Sequence, residues 1–245
     1  MSLRTLLDAP RKLLRRRPDG RARALQRLPL VEERAAEPGR TLAFIFTGDG
    51  NWAMLVRGLA RELAKHGISS VGLKARTYLL FGRTPTRVTR DVEAVLRHYL
   101  RAWEADSVVL IGLSRGADLL PFVVRRMAPE LRRRVRLLAL LSPARLGSFR
   151  FRWADLVGYH ERPGDVRVIP ELQALRGSIP VLVVNGREDE AALAPALPPG
   201  VAETVLLDAG HNLARDHVTI AELVLERLSD DDPASGASAQ ISRVP

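Results

Sequence analysis

A chain of 245 residues, 46% of them hydrophobic, can bury the core of one large α/β domain or two small ones. It contains no cysteine, which excludes disulfides, thiolate metal sites and a catalytic thiol. The formal net charge is +10, but residues 1–40 hold ten Arg and one Lys against five acids, and aromatics are only 5%; the excess belongs mostly to the leader and does not read as a nucleic-acid surface.

The leader, residues 1–40, is rich in Arg and carries Pro10, Pro18, Pro29 and Pro38. Leu3, Leu6, Leu7, Leu13 and Leu14 recur at nearly helical spacing, and Pro10 interrupts them. Two readings stand side by side. One is a cationic amphipathic helix making peripheral contact with an anionic membrane through residues 1–27. The other is a tail, or a helix packed on the domain. No apolar run reaches the roughly 18 residues needed to span a bilayer. No export signal is recognisable, so the compartment stays open.

From Thr41 the texture changes. TLAFIFT (41–47) reads as a buried strand, and WAMLVRGLARELAKHG (52–67) as an amphipathic helix closed by Gly67. ISSVGLKA (68–75) is a strand and TRVTRDVEAVLRHYLRAW (86–103) a helix. SVVLIGL (107–113), VRLLALLS (135–142), IPVLVVNG (179–186) and AETVLLDA (202–209) are strands; GADLLPFVVRRMA (116–128) and TIAELVLERL (219–228) are helices. Near-continuous apolar strands alternating with helices predict a compact α/β domain over 41–228. Its mostly parallel sheet of about six strands carries helices on both faces. The stretch 144–178 reads as irregular, lying over the C-terminal edge of the sheet. Residues 229–245 read as a disordered polar tail.

Gly112-Leu113-Ser114-Arg115-Gly116 places a serine between two glycines, where a strand turns into a helix. A turn that tight needs neighbours almost without side chains. It lifts the hydroxyl to a helix N-terminus, where N–H groups favour negative charge. Ser114 is the candidate nucleophile, and the Arg115 N–H one oxyanion donor. An acid is then expected at the end of a later strand and a histidine after the last one. Asp189 in NGREDE and His211 in AGH fill those places, in the order Ser, acid, His. Glu188 and Glu190 flank Asp189 as competitors. His66, His98, His160 and His217 read as structural or solvated. The loop Thr47-Gly48-Asp49-Gly50-Asn51-Trp52 supplies the second oxyanion donor, the N–H of Asp49 or Gly50. It matches neither a Walker loop nor a dinucleotide fingerprint.

TGDGNW (47–52) together with IGLSRGADLLP (111–121) resembles the bacterial virulence protein VirJ/AcvB family, whose usual forms are close to SGDGGW and GYSFGADVLP. LLSPAR (140–145) and the Gly210-His211 turn match in character. The resemblance spans about 41–228. It implies a compact α/β-hydrolase with its triad at Ser114, Asp189 and His211. It also implies hydrolysis of aminoacylated phosphatidylglycerol, chiefly the lysyl ester, with no metal or organic cofactor. Some members are periplasmic and linked to type IV secretion. Asn51, Leu113, Arg115, Asn212 and Leu213 depart from the family pattern near the pocket.

On that reading the partner is an aminoacylated anionic phospholipid or another ester, and not nucleic acid. Asp49, Asn51, Trp52 and Asp118 are expected to face substrate, with Asp49 and Asp118 offering carboxylates to a lysyl ester's ammonium groups. Each carboxylate also has a local alternative, bracing its own turn or its own helix end. Arg115 faces the lipid phosphodiester or is solvated. The alternatives to a lipid ester hydrolase are a generic carboxylesterase or thioesterase, and a VirJ-like interaction factor that keeps the fold as a scaffold.

Overall fold

The computed structural model describes residues 25–153 and 162–230. Both readings of the leader's leucine-arginine segment, His160 and the tail beyond Asp230 fall outside these residues. A seven-stranded sheet forms the frame, in the order β1-β3-β2-β4-β5-β8-β9. Its strands are β1 (Leu30–Glu33), β2 (Thr41–Phe46), β3 (Ser69–Leu73), β4 (Ser107–Leu113), β5 (Val135–Leu141), β8 (Val181–Gly186) and β9 (Glu203–Leu207). All neighbouring pairs are parallel except β1 with β3. A small antiparallel pair, β6 (Leu146–Gly147) and β7 (Val166–Arg167), stands apart.

The six parallel strands are those expected from their apolar runs. The seventh, β1, lies in what reads as leader. LVEE is short and half-exposed, with two acids, so no apolar run announces it. Pairing with β3, from Leu30 opposite Leu73 to Glu33 opposite Ser70, makes it a strand. A short charged strand also blunts the sheet edge against pairing with other chains.

Alternation along each strand divides the core in two. Leu42, Phe44 and Phe46 of β2 join Val108 and Leu110 of β4 on one face. Helices α3 (Pro85–Ala102), α4 (Arg115–Arg126) and α6 (Val168–Leu175) cover that face. Ala43, Ile45, Val109 and Ile111 point to the other face, under α1 (Met54–Lys65) and α7 (His217–Asp230). Short helices α2 (Ala75–Leu79) and α5 (Pro129–Arg132) complete the set. Helix α6 corrects the reading of 144–178 as irregular. VIPELQAL carries a proline in its first turn and too few polar residues to show an amphipathic period, yet Val168, Leu172 and Leu175 are buried.

The topology places the site. From β2 the chain steps to β3 on one side, while β4 lies on the other. The segments leaving the C-terminal ends of β2 and β4 therefore diverge and leave a crevice between them. The loop 47–52 and Ser114 meet there.

Candidate active site

Ser114 sits at φ 50°, ψ −120°, between β4 and α4. A non-glycine residue takes this conformation only when its surroundings enforce it. Its N–H donates to Leu141 O at 2.8 Å, and its carbonyl accepts from the Asp118 N–H at 3.0 Å. The flanking glycines are required by space. A Cβ at position 116 would stand 2.0 Å from the Phe46 carbonyl oxygen, and one at 112 would stand 2.5 Å from Ala117 Cα.

The structure brings Ser114, His211 and Asp189 into hydrogen-bonding series. Ser114 Oγ lies 2.9 Å from His211 Nε2. His211 Nδ1 lies 2.8 Å from Asp189 Oδ2. The Asp189 side chain is 5% exposed and that of His211 50%, so the acid is sheltered and the imidazole faces the crevice. Asp189 Oδ1 also accepts the Ala191 N–H at 3.1 Å. With Nδ1–H committed to the carboxylate, Nε2 is left as acceptor for the serine hydroxyl. Glu188 and Glu190 are exposed on either side.

Two supporting residues escaped the sequence reading. Ser142, buried and at φ 48°, donates Oγ–H to the His211 carbonyl at 2.7 Å and so holds the histidine loop from beneath. Asn185, fully buried at the end of β8, donates to Pro143 O and accepts from the Ala194 N–H. LLSPAR and VVNG carried their only signal, polar residues closing apolar strands.

Arg115 is the correction with the widest consequences. It neither faces the pocket as a phosphate ligand nor is solvated. Its side chain is 7% exposed and grips Asp49 with both ends of the guanidinium, Nε to Oδ1 at 2.7 Å and Nη2 to Oδ2 at 2.8 Å. Its Nη1 reaches the carbonyls of Ser148 and Arg150. Both Asp49 oxygens are therefore engaged, which removes them from service to a substrate ammonium. The same fork ties together the two segments whose backbones carry the candidate oxyanion donors, Arg115 at the start of α4 and the Asp49-Gly50 turn. Gly48 lies against Ser114 across this joint.

Asp118 is not at the pocket wall. It is buried, and Oδ1 accepts the Ala144 N–H at 2.7 Å. Burial pushes its carboxyl well above the usual carboxylate range, although the Ala144 N–H and the nearby Arg115 pull it down. A raised folded-state pKa contributes stability that is fully present below the unfolded value of about 3.9 and lost as pH rises through the folded value. Asp118→Asn keeps the acceptor for Ala144 and cannot ionise. Its melting temperature is expected to gain on wild type as pH rises from about 4 to about 8. Thermal unfolding at both ends of that range checks the sign.

Trp52 serves the fold: its ring occupies the space above Gly72 in β3, where a Cβ would stand 2.0 Å from it. Asn51 takes φ 54° in the turn, with a buried Oδ1 that has no hydrogen-bond partner among the described residues. The pocket over Ser114, about 440 Å³, is instead lined by Gly48, Asp49 and Gly50, by Ala53, Met54 and Leu55 at the start of α1, and by Leu113, His211, Asn212 and Arg215. Leu213, Ala214 and Arg215 follow one another at φ 51°, 51° and 59°. That strained run is pinned by buried Leu213 and by the Ala214 N–H donating to Asn212 Oδ1. It holds Arg215 at the pocket, exposed and with no acidic partner among the described residues. A larger cavity near Arg40 and Arg136 lies at the opposite end of the strands, away from Ser114. No cluster of His, Asp and Glu among the described residues could hold a metal ion.

The family model for the bacterial virulence protein (VirJ) matches residues 40–232. The chain belongs to the VirJ family. Comparison with curated proteins by sequence found no match. Solved structures place this VirJ-family chain in the α/β-hydrolase fold. Ferulic-acid-bound Est1E from Butyrivibrio proteoclasticus aligns at a TM-score of 0.60 and 15% identity, covering 82% of this chain and 96% of that one. A putative dienelactone hydrolase from Klebsiella pneumoniae aligns at 0.59 and 16%, covering 83% and 91%. The enol-lactonase from Burkholderia xenovorans aligns at 0.56 and 18%, covering 82% and 96%.

Proposed function

We propose that this VirJ-family chain is a serine hydrolase that cleaves the aminoacyl ester of aminoacylated phosphatidylglycerol, of the lysyl type. The observation that carries the chemistry is the series Ser114 Oγ, His211 Nε2 and Nδ1, Asp189 Oδ2, with links of 2.9 and 2.8 Å at a strained strand-to-helix turn. The family match and the pocket's charge support the substrate.

In the reaction, His211 Nε2 takes the Ser114 proton as Oγ bonds to the ester carbonyl carbon. Negative charge develops on the carbonyl oxygen, where the Arg115 N–H and the N–H of Asp49 or Gly50 stabilise it. The ester C–O bond then breaks, and His211 returns the proton to the departing phosphatidylglycerol hydroxyl. Water, deprotonated by His211, attacks the acyl-serine. Collapse releases the amino acid and restores the Ser114 hydroxyl.

Neither carboxylate expected to bind lysyl ammonium is available, since Asp49 is held by Arg115 and Asp118 is buried. The charge left at the pocket is Arg215, whose guanidinium suits the lipid phosphodiester on the alcohol side of the ester. The headgroup anion, rather than the amino acid's side chain, then provides recognition. Lysyl- and alanyl-phosphatidylglycerol in vesicles are therefore expected to release free amino acid at rates within about tenfold of each other. No release from either, with a nitrophenyl ester still turned over, would remove the lipid assignment and keep the hydrolase.

A further inference from the structure

Five large apolar side chains are exposed among the described residues: Met54, Leu80, Phe81, Trp153 and Val218. They come from four separate parts of the chain, yet each part follows the C-terminal end of a parallel strand. Met54 opens α1 after β2, Leu80 and Phe81 follow α2 after β3, Trp153 belongs to the excursion after β5, and Val218 opens α7 after β9. Met54 lines the Ser114 pocket itself, and Leu80, Phe81 and Trp153 stand on two adjoining segments at its edge; Val218 lies lower, beside His217, whose ring packs against Gly58 of α1.

Phe81 is 81% exposed and Trp153 67%. Their segments are joined. The Phe151 N–H donates to Leu79 O and the Arg83 N–H to Phe149 O, while the Trp153 ring packs 5.2 Å from that of Phe151. Arg115 connects this edge to the nucleophile by donating to the Arg150 carbonyl.

The charge beside Leu80, Phe81 and Trp153 is mostly positive. Residues 74–90 contain Lys74, Arg76, Arg83, Arg87 and Arg90 without an acid, and residues 143–153 contain Arg145, Arg150 and Arg152 without an acid. Arg83 and Arg150 are exposed next to Phe81. An apolar tip ringed by arginines is matched by an anionic bilayer, whose headgroups take the cations while the aromatic rings settle at the interface. A nucleic acid would use the arginines and rings but gain nothing from Met54 and Leu80, which cannot stack as ring systems do.

We infer that this rim is a membrane-docking face that seats the chain on anionic phospholipid with the Ser114 pocket turned to the bilayer. The inference rests on the surface, not on the chemistry proposed above, and would hold for any ester carried in such a membrane. It assigns the contact to Phe81, Trp153 and their neighbours rather than to residues 1–27.

The test is sedimentation of the full chain with vesicles of phosphatidylglycerol and phosphatidylcholine, against phosphatidylcholine alone. Wild type is expected to bind the anionic vesicles, less so in high salt, and Phe81→Asp to bind about tenfold or more weakly. Thermal unfolding and nitrophenyl ester turnover should be unchanged in that variant, because Phe81 touches neither core nor pocket. Equal binding to neutral and anionic vesicles would overturn the inference. So would Phe81→Asp binding like wild type, or a wild type that ignores vesicles yet retains single-stranded RNA. Docking is read without turnover, so its failure leaves the proposed hydrolysis standing, and the reverse.

Discussion

Ser114→Ala is expected to lower kcat on a simple nitrophenyl ester by about 10⁴-fold or more, with KM nearly unchanged. Among the described residues, the hydroxyl is the only group in the crevice both hydrogen-bonded to an imidazole and set at a helix N-terminus. His211→Ala should cost about as much, since an unassisted serine is a weak nucleophile. The double variant should be little worse than either single one, because the two groups act as one unit. Steady-state kinetics on all three proteins, with unfolding curves to show that each folds, reads this directly. Asp189→Asn should also lose activity, because an amide no longer stabilises the imidazolium or fixes the Nδ1–H tautomer.

Arg115→Met is expected to destabilise the domain by about 3–5 kcal/mol, by leaving the partly buried Asp49 carboxylate without its countercharge. For a domain of this size that amounts to a melting-temperature drop on the order of 10 °C. The fork also joins the two segments that carry the candidate oxyanion donors, so kcat should fall by about tenfold or more even where the variant is folded. Arg115→Lys should restore little, since one ammonium cannot reproduce two parallel bonds to Asp49 and further bonds to Ser148 and Arg150. Pairing Arg115→Met with Asp49→Leu removes the stranded charge. That double variant should recover much of the stability and little of the activity. Differential scanning calorimetry beside kcat and KM separates the two effects; recovery of both together would contradict a positioning role for the pair.

The parallel sheet was legible because each strand is an unbroken apolar run bounded by turn residues. That Ser114, Asp189 and His211 meet was legible for a related reason: each follows a strand end where glycine allows a sharp turn, and chain order restricts the choices. What stayed hidden depends on distant partners. Arg115 and Asp49 are 66 residues apart, and nothing local to either shows that the guanidinium folds inward. Asp118 looks like a helix-start carboxylate until Ala144 arrives to cap it. β1 exists only because β3 offers it an edge. Arg215 escaped notice because Leu-Ala-Arg gives no hint of three successive left-handed residues, a conformation that buried Leu213 and the Asn212 side chain enforce.

The central claim is that Ser114 is an activated nucleophile. The most direct measurement is labelling of the full chain with an alkyl fluorophosphonate, read by intact mass and peptide mapping. The serine oxygen would displace fluoride and remain bound to phosphorus. The account predicts one phosphonyl group per chain, mapped to Ser114, absent in Ser114→Ala and slowed strongly in His211→Ala. A folded wild-type chain left unlabelled, or one labelled elsewhere, would contradict it.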